Sequence, residues 1–277
     1  MISYKIYIPT KLRFNFKITN IWFNKIKKSF SEEEYKFFIE DGEIELYKKY
    51  CFLNDKEIIR LPFNNKGIGY TRKYIVENFL LKEKDFIFFI DDDIKGFYFF
   101  DEEGKQKLFD WNKNNIKCIF ESFLDSPFIL TGMCYKQNQY FVKEEQFREF
   151  GRPTTFVCYN LNLLKNKCKF LQEYNQYDVE KFHVYEDIYI ACCLLKSENM
   201  IGMNNKYSLF VPVMSTSKGG CFDDYKEGQS LLCAKEINRI IGYSFSEIID
   251  NHGRVEIKIN WKKLYETNLS KNKNQFF

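Results

Sequence analysis

Cysteine pairs with metal-binding spacing, long apolar runs and a strong excess of one charge are all missing from this sequence, which has only two histidines in 277 residues. Its nine cysteines, an odd number with no Cys-x-x-Cys spacing, favour reduced thiols over a disulfide framework or a zinc site. No apolar run approaches the roughly 18 residues of a membrane span, and the chain enters a strand pattern at once, without a leader. We therefore expect a protein of a cytoplasmic compartment, without a membrane anchor.

The overall charge is close to neutral. Lys plus Arg (42) only slightly exceeds Asp plus Glu (38), and the net charge of +4 is far from the basic excess of a dedicated nucleic-acid coat. One local run of cations between residues 5 and 28 contains no acid, and its members include Lys11, Arg13, Lys17, Lys25, Lys27 and Lys28. Such a run predicts either a surface for phosphates or a solvated helix face. The 45% hydrophobic content excludes a mainly disordered protein.

The first hundred residues alternate between strand and helix patterns, which is typical of a mostly parallel sheet between helical layers. The predicted strands are Lys5–Ile8, stopped by Pro9, then Phe37–Ile39, Glu57–Leu61 and Phe86–Ile90. The predicted helices are Ile18–Phe30, Glu43–Tyr50 and residues 67–81. We therefore predict an α/β fold with a Rossmann-related sheet.

The remaining chain is less regular. Its predicted elements are a hairpin of Phe97–Phe100 with Lys107–Phe109, helices over Asn115–Leu124, residues 184–195 and Leu231–Ile241, and strands over Phe128–Tyr135, Thr155–Tyr159 and Val255–Trp261. No repeat and no linker rich in Pro, Gly or Ser interrupts the chain. We predict one domain over residues 1–277, with residues 1–95 and residues 96–277 as its two halves and a smaller mixed subregion within the second.

The acidic run Asp91-Asp92-Asp93 is the clearest functional signal. It directly follows Phe86–Ile90, a continuous apolar run that only a strand covered on both faces should show. Three adjacent carboxylates repel one another, and their position at the end of such a strand is costly without a cation. Asp91 and Asp93 lie on the same side of an extended chain, so they are candidate ligands of Mg²⁺ or Mn²⁺. A plain acidic turn is the alternative.

Two further segments have a functional and an ordinary interpretation. The glycine-rich helix start from Gly67 to Arg72 indicates either an anion site or a simple strand-to-helix turn. The loop around Lys218 and Gly219 indicates either a contact to phosphate or a surface turn. No Walker-type loop or local nucleophile motif is present.

The acidic pair Glu186-Asp187 starts a predicted helix. One interpretation is ordinary compensation of the helix dipole. The other is a general base, because a carboxylate in a cleft can accept the proton of an attacking hydroxyl. The sequence leaves both open.

The order of these motifs resembles the GT-A glycosyltransferases, and within them the TET-associated group, which is found in phages and linked to sugar addition on modified DNA bases. The motifs that carry the resemblance are Tyr7-Ile-Pro-Thr10 with Arg13, the turn from Gly67 to Arg72, Asp91-Asp92-Asp93 and Glu186-Asp187. It covers residues 4 to about 240. It implies a sugar transferase with a nucleotide-sugar donor, a UDP-sugar above all. Residues 1–95 would form the half that binds this donor, and residues 96–277 the half that binds the acceptor.

The resemblance also implies roles for single residues. Those placed at the nucleotide, its phosphates or the metal edge are Thr10, Arg13, Glu40, Asp41, Gly67, Arg72, Asp92, Lys218 and Gly219. Asp91 and Asp93 match the outer positions of a DxD motif that holds Mn²⁺ or Mg²⁺, and Asp187, with Glu186 beside it, matches the catalytic base. Many GT-A enzymes add a C-terminal histidine to the metal shell, which this chain lacks near residues 215–220, so Ser217 or water would replace it.

The acceptor implied is a hydroxyl on a hydroxymethylated or otherwise modified base in phage-type DNA, which would place the protein in the host cytoplasm. A protein or glycan acceptor is an alternative because the net charge is modest. A metal-dependent nucleotidyltransferase, which would release pyrophosphate, and a non-catalytic protein that binds sugar nucleotides or DNA are rival functions.

Overall fold

The structure is a computed structural model that describes residues 3–83, 85–139, 146–149, 151–182, 184–198, 201–212, 229–242, 246–249 and 255–266. In these residues, no helix combines the length and the apolar character needed to cross a membrane.

A single large sheet organises the described chain. Its ten strands are β1 (Tyr4–Thr10), β2 (Tyr35–Glu40), β3 (Ile58–Leu61), β4 (Phe86–Ile90), β5 (Gly96–Phe100), β6 (Gln106–Leu108), β7 (Leu130–Tyr135), β8 (Phe147–Glu149), β9 (Phe156–Asn160) and β10 (Ile201–Phe210). A separate antiparallel pair consists of β11 (Ser246–Ile249) and β12 (Val255–Lys258).

The sheet order is β3-β2-β1-β4-β9-β7-β10-β5-β6, and β8 pairs with β10. The first four strands are mutually parallel. Only β9, β5 and β8 run against them, since β7 and β10 return to the same direction. The predicted α/β class with a mostly parallel central sheet is confirmed.

Helices cover both faces of the sheet. They are α1 (Lys17–Ser29), α2 (Ile44–Cys51), α3 (Gly67–Asn78), α4 (Lys117–Glu121), α5 (Lys167–Tyr174), α6 (Glu186–Glu198) and α7 (Gln229–Ile241), with short 3-10 turns at Asp41–Glu43, Leu80–Lys82 and Lys136–Asn138. Side chains of α1, α2 and α4 pack into one core, and those of α3, α5, α6 and α7 into the other. This two-sided cover places the strand ends at the rim of the molecule, where ligands enter.

Strand β4 is the centre of this arrangement. All five of its residues are buried, as the apolar run predicts. Phe86, Phe88 and Ile90 enter one core while Ile87 and Phe89 enter the other, because successive side chains point to opposite faces. The acidic run thus starts where a strand buried on both faces ends.

The predicted stop of β1 at Pro9 is wrong, since the strand continues to Thr10. Ile6 donates its N–H to the Glu34 carbonyl on the β2 side at 2.8 Å, so the alternation of the backbone turns the nitrogen of Pro9 towards β4. The β4 ladder has already ended at Tyr7, whereas pairing with β2 runs on through Thr10. Proline is tolerated there because no donor is needed on that side.

Several other boundaries also differ from the sequence prediction. The predicted strand over Val255–Trp261 ends at Lys258, and residues 261–266 are helical. The sequence did not indicate α5 or the ten-residue strand β10. In β10 the polar residues 204–206 interrupt the apolar pattern, but the buried Asn204 amide donates to the Ser122 carbonyl and hydroxyl, both at 3.0 Å. Its partner is a distant residue that no local pattern reveals.

Candidate functional site

The carboxyl ends of β1 and β4 form a crevice in the middle of the sheet. The strand order reverses here, because the chain passes from β1 outward to β2 and β3 and then returns across them to β4. Open α/β sheets bind ligands at such a switch point. Thr10 is the last residue of β1 and Arg13 follows it, and the run Asp91-Asp92-Asp93 follows β4, so the predicted donor-side groups meet here.

Arg13 joins the two sides of the crevice. Its guanidinium Nη1 lies 2.9 Å from Asp92 Oδ1 and 2.5 Å from Asp93 Oδ2. Asp92 also accepts a hydrogen bond from the Thr10 hydroxyl. Tyr47 of α2 fixes the segment from behind, since its hydroxyl lies 2.6 Å from Thr10 Oγ1 and accepts the Arg13 N–H at 3.1 Å.

Arg72, in the second turn of α3, makes the corresponding connection on the other side. Its Nη2 lies 2.6 Å from Asp91 Oδ1, and its Nη1 pairs with Glu186 Oε1 at the start of α6. The Glu186 side chain is only 1% exposed. The predicted phosphate-contacting arginine therefore bridges the acidic run and the predicted base pair of carboxylates.

Burial dominates the electrostatics of these carboxyl groups. It raises the pKa of Asp92 to about 6, against the opposing influence of Arg13. Burial also raises the pKa of Asp91 and of Glu186, although Arg72 acts in the opposite direction on both. The site therefore holds excess negative charge at a cost that a further cation would offset.

Asp187 lines a cleft beside this network. The cleft is partly open and spans about 400 Å³ when the adjoining open solvent is included, and its walls come from α3, α6, β4, β7, β9 and the segment before β9. The lining residues are Arg72, Val76, Phe89, Leu130, Pro153, Thr154, Thr155, Val157, Tyr159, Asp187 and Ile190. The sequence did not single out Pro153, Thr154, Thr155 or Tyr159 as site residues. The available signal was Gly132, because a glycine within an apolar strand such as β7 often marks a place where another backbone segment approaches closely.

The other predicted nucleotide-side residues lie at the end of β2 and the start of α3. Glu40 is buried, accepts the Asn65 N–H at 2.8 Å and pairs with Lys11 at 3.1 Å. Asp41 is exposed and pairs with Arg60 at 2.9 Å, so the structure does not bring it to the carboxylate network. Gly67 starts α3 with φ of 82°, a conformation that favours glycine.

The loop of Ser217, Lys218 and Gly219 lies outside the described residues, so these predictions stay untested. The basic run between residues 5 and 28 is largely engaged within the protein. Lys25 donates to the Trp111 carbonyl at 2.9 Å, and Lys27 pairs with Glu57 at 3.4 Å. Lys11 and Arg13 have the partners given above, which leaves Lys17 and Lys28 as its exposed cations.

Residues 4–220 match the model of the TET-associated glycosyltransferase family. The chain belongs to this family. The family and enzyme class predicted from the motifs are therefore confirmed, and the protein is a glycosyltransferase. No curated protein sequence matches the chain.

Several solved structures are similar to this glycosyltransferase. TarS 1–349 of S. aureus is 16% identical with a TM-score of 0.46, over 87% of this chain and 72% of that one. Glucosyl-3-phosphoglycerate synthase of Mycobacterium tuberculosis, with Mg²⁺ and uridine diphosphate, is 9% identical with a TM-score of 0.49, over 92% and 87%. A 4-diphosphocytidyl-2C-methyl-D-erythritol synthase of Anaerococcus prevotii is 10% identical with a TM-score of 0.43, over 73% and 87%. These low scores carry no conclusion about ligands.

The predicted metal ligands fit a divalent cation in charge. Among the described residues no group of three or more His, Cys, Asp or Glu side chains is arranged to hold a metal ion. Two carboxylates suffice, however, for a cation that takes its other ligands from phosphates and water. Asp91 and Asp93, 30% and 22% exposed, each contact an arginine through one oxygen, so the other oxygen is available.

Proposed function

We propose that this glycosyltransferase transfers a sugar from a nucleotide-sugar donor, a UDP-sugar, to the hydroxyl of a hydroxymethylated or otherwise modified base in phage-type DNA, with Mn²⁺ or Mg²⁺ as cofactor. One observation carries the proposal: Arg72 links the acidic run after β4 to the Glu186-Asp187 pair, beside an open cleft. The family description, TET-associated, supports a modified DNA base as acceptor.

On the donor side, negative charge accumulates on the diphosphate as the bond to the sugar breaks. Asp91 and Asp93 would hold the divalent cation, which when bound stabilises that charge as a Lewis acid. Arg13 and Arg72 reach the same place from the two sides of the crevice. Their guanidinium groups would donate further hydrogen bonds to the phosphate oxygens.

On the acceptor side, Asp187 takes the role of general base. Glu186 is buried and paired with Arg72, whereas Asp187 is partly exposed and lines the cleft. A base must reach the proton that it abstracts, and only a carboxylate facing the cleft meets that requirement. Glu186 then holds Arg72 and the start of α6 in place.

A base within a duplex would have to leave the stack to reach this cleft, at a cost of a few kcal/mol. The engagement of Lys11, Arg13, Lys25 and Lys27 within the protein favours a second candidate, a protein or glycan acceptor. A panel of sugar nucleotides with modified DNA, plain DNA and glycans distinguishes the two. Added mass on a modified nucleoside supports the DNA acceptor, and added mass only on a glycan contradicts it.

The donor half of the proposal is tested by thermal denaturation. We expect Mn²⁺ with a UDP-sugar to raise the Tm of the wild type, because a ligand that binds only the folded state stabilises it. Asp93→Asn should abolish this shift, whereas Asp55→Asn, at an exposed carboxylate that pairs with Lys48 of α2, should keep it. An equal shift in the wild type and Asp93→Asn would contradict the metal assignment.

A further inference from the structure

The segment before β9 contains an unusual backbone conformation. Thr155 has φ of 57°, in the left-handed region that a β-branched residue rarely adopts. Thr154 and Thr155 also line the cleft together with Arg72 and Asp187. Strained conformations persist only where the surrounding structure enforces them, and they concentrate at functional sites. The contacts that hold Thr155 in this conformation are therefore candidates for a functional role.

Tyr135, the last residue of β7, fixes the corner formed by Thr154 and Thr155. Its hydroxyl lies 2.9 Å from Thr155 Oγ1 and 3.2 Å from Thr154 Oγ1. One phenol thus contacts both threonines at once, from a strand that is not adjacent to them in sequence. Its contacts hold the corner from the β7 side.

Close packing of Pro153 on the backbone of β7 holds the same corner. A Cβ added at Gly132 of β7 would overlap the Cα of Pro153, so the segment lies directly on the strand backbone. Only glycine allows this approach. Tyr135 and Gly132, three residues apart in β7, therefore position the Pro153–Thr155 segment together.

The corner in turn fixes the first residue of the acidic run. The Asp91 N–H donates to the Thr155 carbonyl at 2.8 Å. The Asp91 carboxylate pairs with Arg72, which also holds Glu186. A chain of direct contacts thus connects the Tyr135 hydroxyl to the group that the proposed function assigns to the metal.

Left-handed residues flank the network at two more points. Leu12, with φ of 55°, precedes Arg13, and Tyr185, with φ of 70°, precedes Glu186. Two other left-handed residues, Phe52 and Asn65, do not adjoin the network. Three of the five left-handed residues other than glycine thus lie next to it in the described chain.

We propose that Tyr135 is a positioning residue for sugar transfer: its hydroxyl holds the Thr154–Thr155 corner, and the corner fixes the backbone of Asp91. The inference rests on the proposed function for the role of Asp91, but the contacts themselves do not depend on any ligand. Tyr135 touches no reacting group, so it acts only through the corner.

The first test is hydrogen exchange at the Asp91 amide in Tyr135→Phe. This variant keeps the ring and removes both hydroxyl contacts, so local opening should speed exchange about five- to tenfold, as expected for the loss of one typical hydrogen bond. The matched control is Tyr35→Phe, which removes a hydroxyl contact of 2.5 Å to the buried Glu57 at the opposite end of the sheet. It should leave the Asp91 amide unchanged. Unchanged exchange in Tyr135→Phe would overturn the proposal.

The second test compares the Kd of uridine diphosphate with and without Mn²⁺. In the wild type, Mn²⁺ should lower the Kd by a certain factor, and in Tyr135→Phe this factor should be about fivefold smaller. In Tyr35→Phe the factor should be the same as in the wild type, even when the Tm of this variant falls. Thr155→Gly, which keeps the carbonyl and suits the left-handed conformation, should show the same loss because the hydroxyl is gone. A full Mn²⁺ gain in both corner variants would overturn the proposal. A wild type that binds no nucleotide would contradict the proposed function instead, while amide exchange would still decide the position of Asp91.

Discussion

The two halves of the sheet build their parts of the site in different ways. In the parallel half, from β1 to β4, the site groups follow strand ends or lie near the start of a helix, as Thr10, Arg72 and Asp91 do. In the mixed half, from β5 to β10, they depend on contacts between distant segments, such as the Tyr135 hydroxyl with the Thr154–Thr155 corner. Regular βα units place ligand groups by topology, whereas the mixed half does so by packing.

The two arginines show the same difference. Arg13 pairs with Asp92 and Asp93, so both ends of its bridge lie in the parallel half. Arg72 reaches Glu186, 114 residues further along the chain, and thereby connects the halves. If this division is correct, changes at the donor-side groups or at the corner that positions Asp91 should affect donor binding, and a change at Asp187 should affect transfer.

Asp187→Asn should have the largest effect. We expect turnover to fall by about 10²- to 10⁴-fold, the usual contribution of a positioned general base, while the affinity for the donor stays close to that of the wild type. Steady-state kinetics and donor titration measure the two quantities. A loss of donor affinity without a change in kcat would contradict the assignment of Asp187 to transfer, and retained turnover would transfer the base role to Glu186.

Arg72→Met should have the next largest effect, on stability. It leaves the buried Glu186 without its cation, and breaking such a pair costs about 3–5 kcal/mol. Arg13→Met is the matched change within the parallel half. Its cost should be smaller because Asp93 is 22% exposed and can be hydrated, and the more buried Asp92 keeps the hydrogen bond from the Thr10 hydroxyl. Urea unfolding measures the free energy of unfolding of both variants. An equal loss would show that the Arg72–Glu186 bridge between the halves adds no stability beyond that of the pairs within the parallel half.

Gly132→Ala tests the close contact in the mixed half. The added methyl group must displace Pro153, so we expect a loss of about 1–3 kcal/mol together with lower turnover. Gly96→Ala in β5 is the control, because its methyl group would meet only the Leu108 side chain at an ordinary 3.6 Å. Denaturation and activity of the two variants give the comparison. If the two variants had equal stability and equal turnover, the Pro153 segment would move away from β7 without a loss of free energy.

The sequence predicted the parallel half well because its signals are local. The buried run of β4 ends at the predicted residue, and Arg13 and Arg72, both predicted to lie near the nucleotide, contact the acidic run that follows it. The sequence missed the Thr154–Thr155 corner because nothing in the preference of a threonine indicates a left-handed conformation. The corner exists through Tyr135 and Gly132, whose proximity is a property of the folded chain.

The missed strand β10 has a similar explanation. Its polar centre is compatible with burial only because Ser122 lies opposite Asn204, a pairing across 82 residues. Asp41 is the opposite case, since this exposed carboxylate next to a strand end pairs with Arg60 and lies outside the carboxylate network, so its role at the nucleotide stays a prediction. Local patterns therefore identify candidate groups, and tertiary contacts decide which of them enter the site.

Pro9 has a consequence for the energetics of binding. Its nitrogen faces the β4 side at the level where the β1–β4 ladder has ended, and it cannot donate the hydrogen that would extend that ladder. Past Tyr7 the two strand ends are therefore linked through side chains, since the Thr10 hydroxyl and the Arg13 guanidinium both contact Asp92. We expect a donor that binds in the crevice, as proposed above, to exchange side-chain contacts and not to break a backbone ladder, because Pro9 has no amide hydrogen to pair with β4.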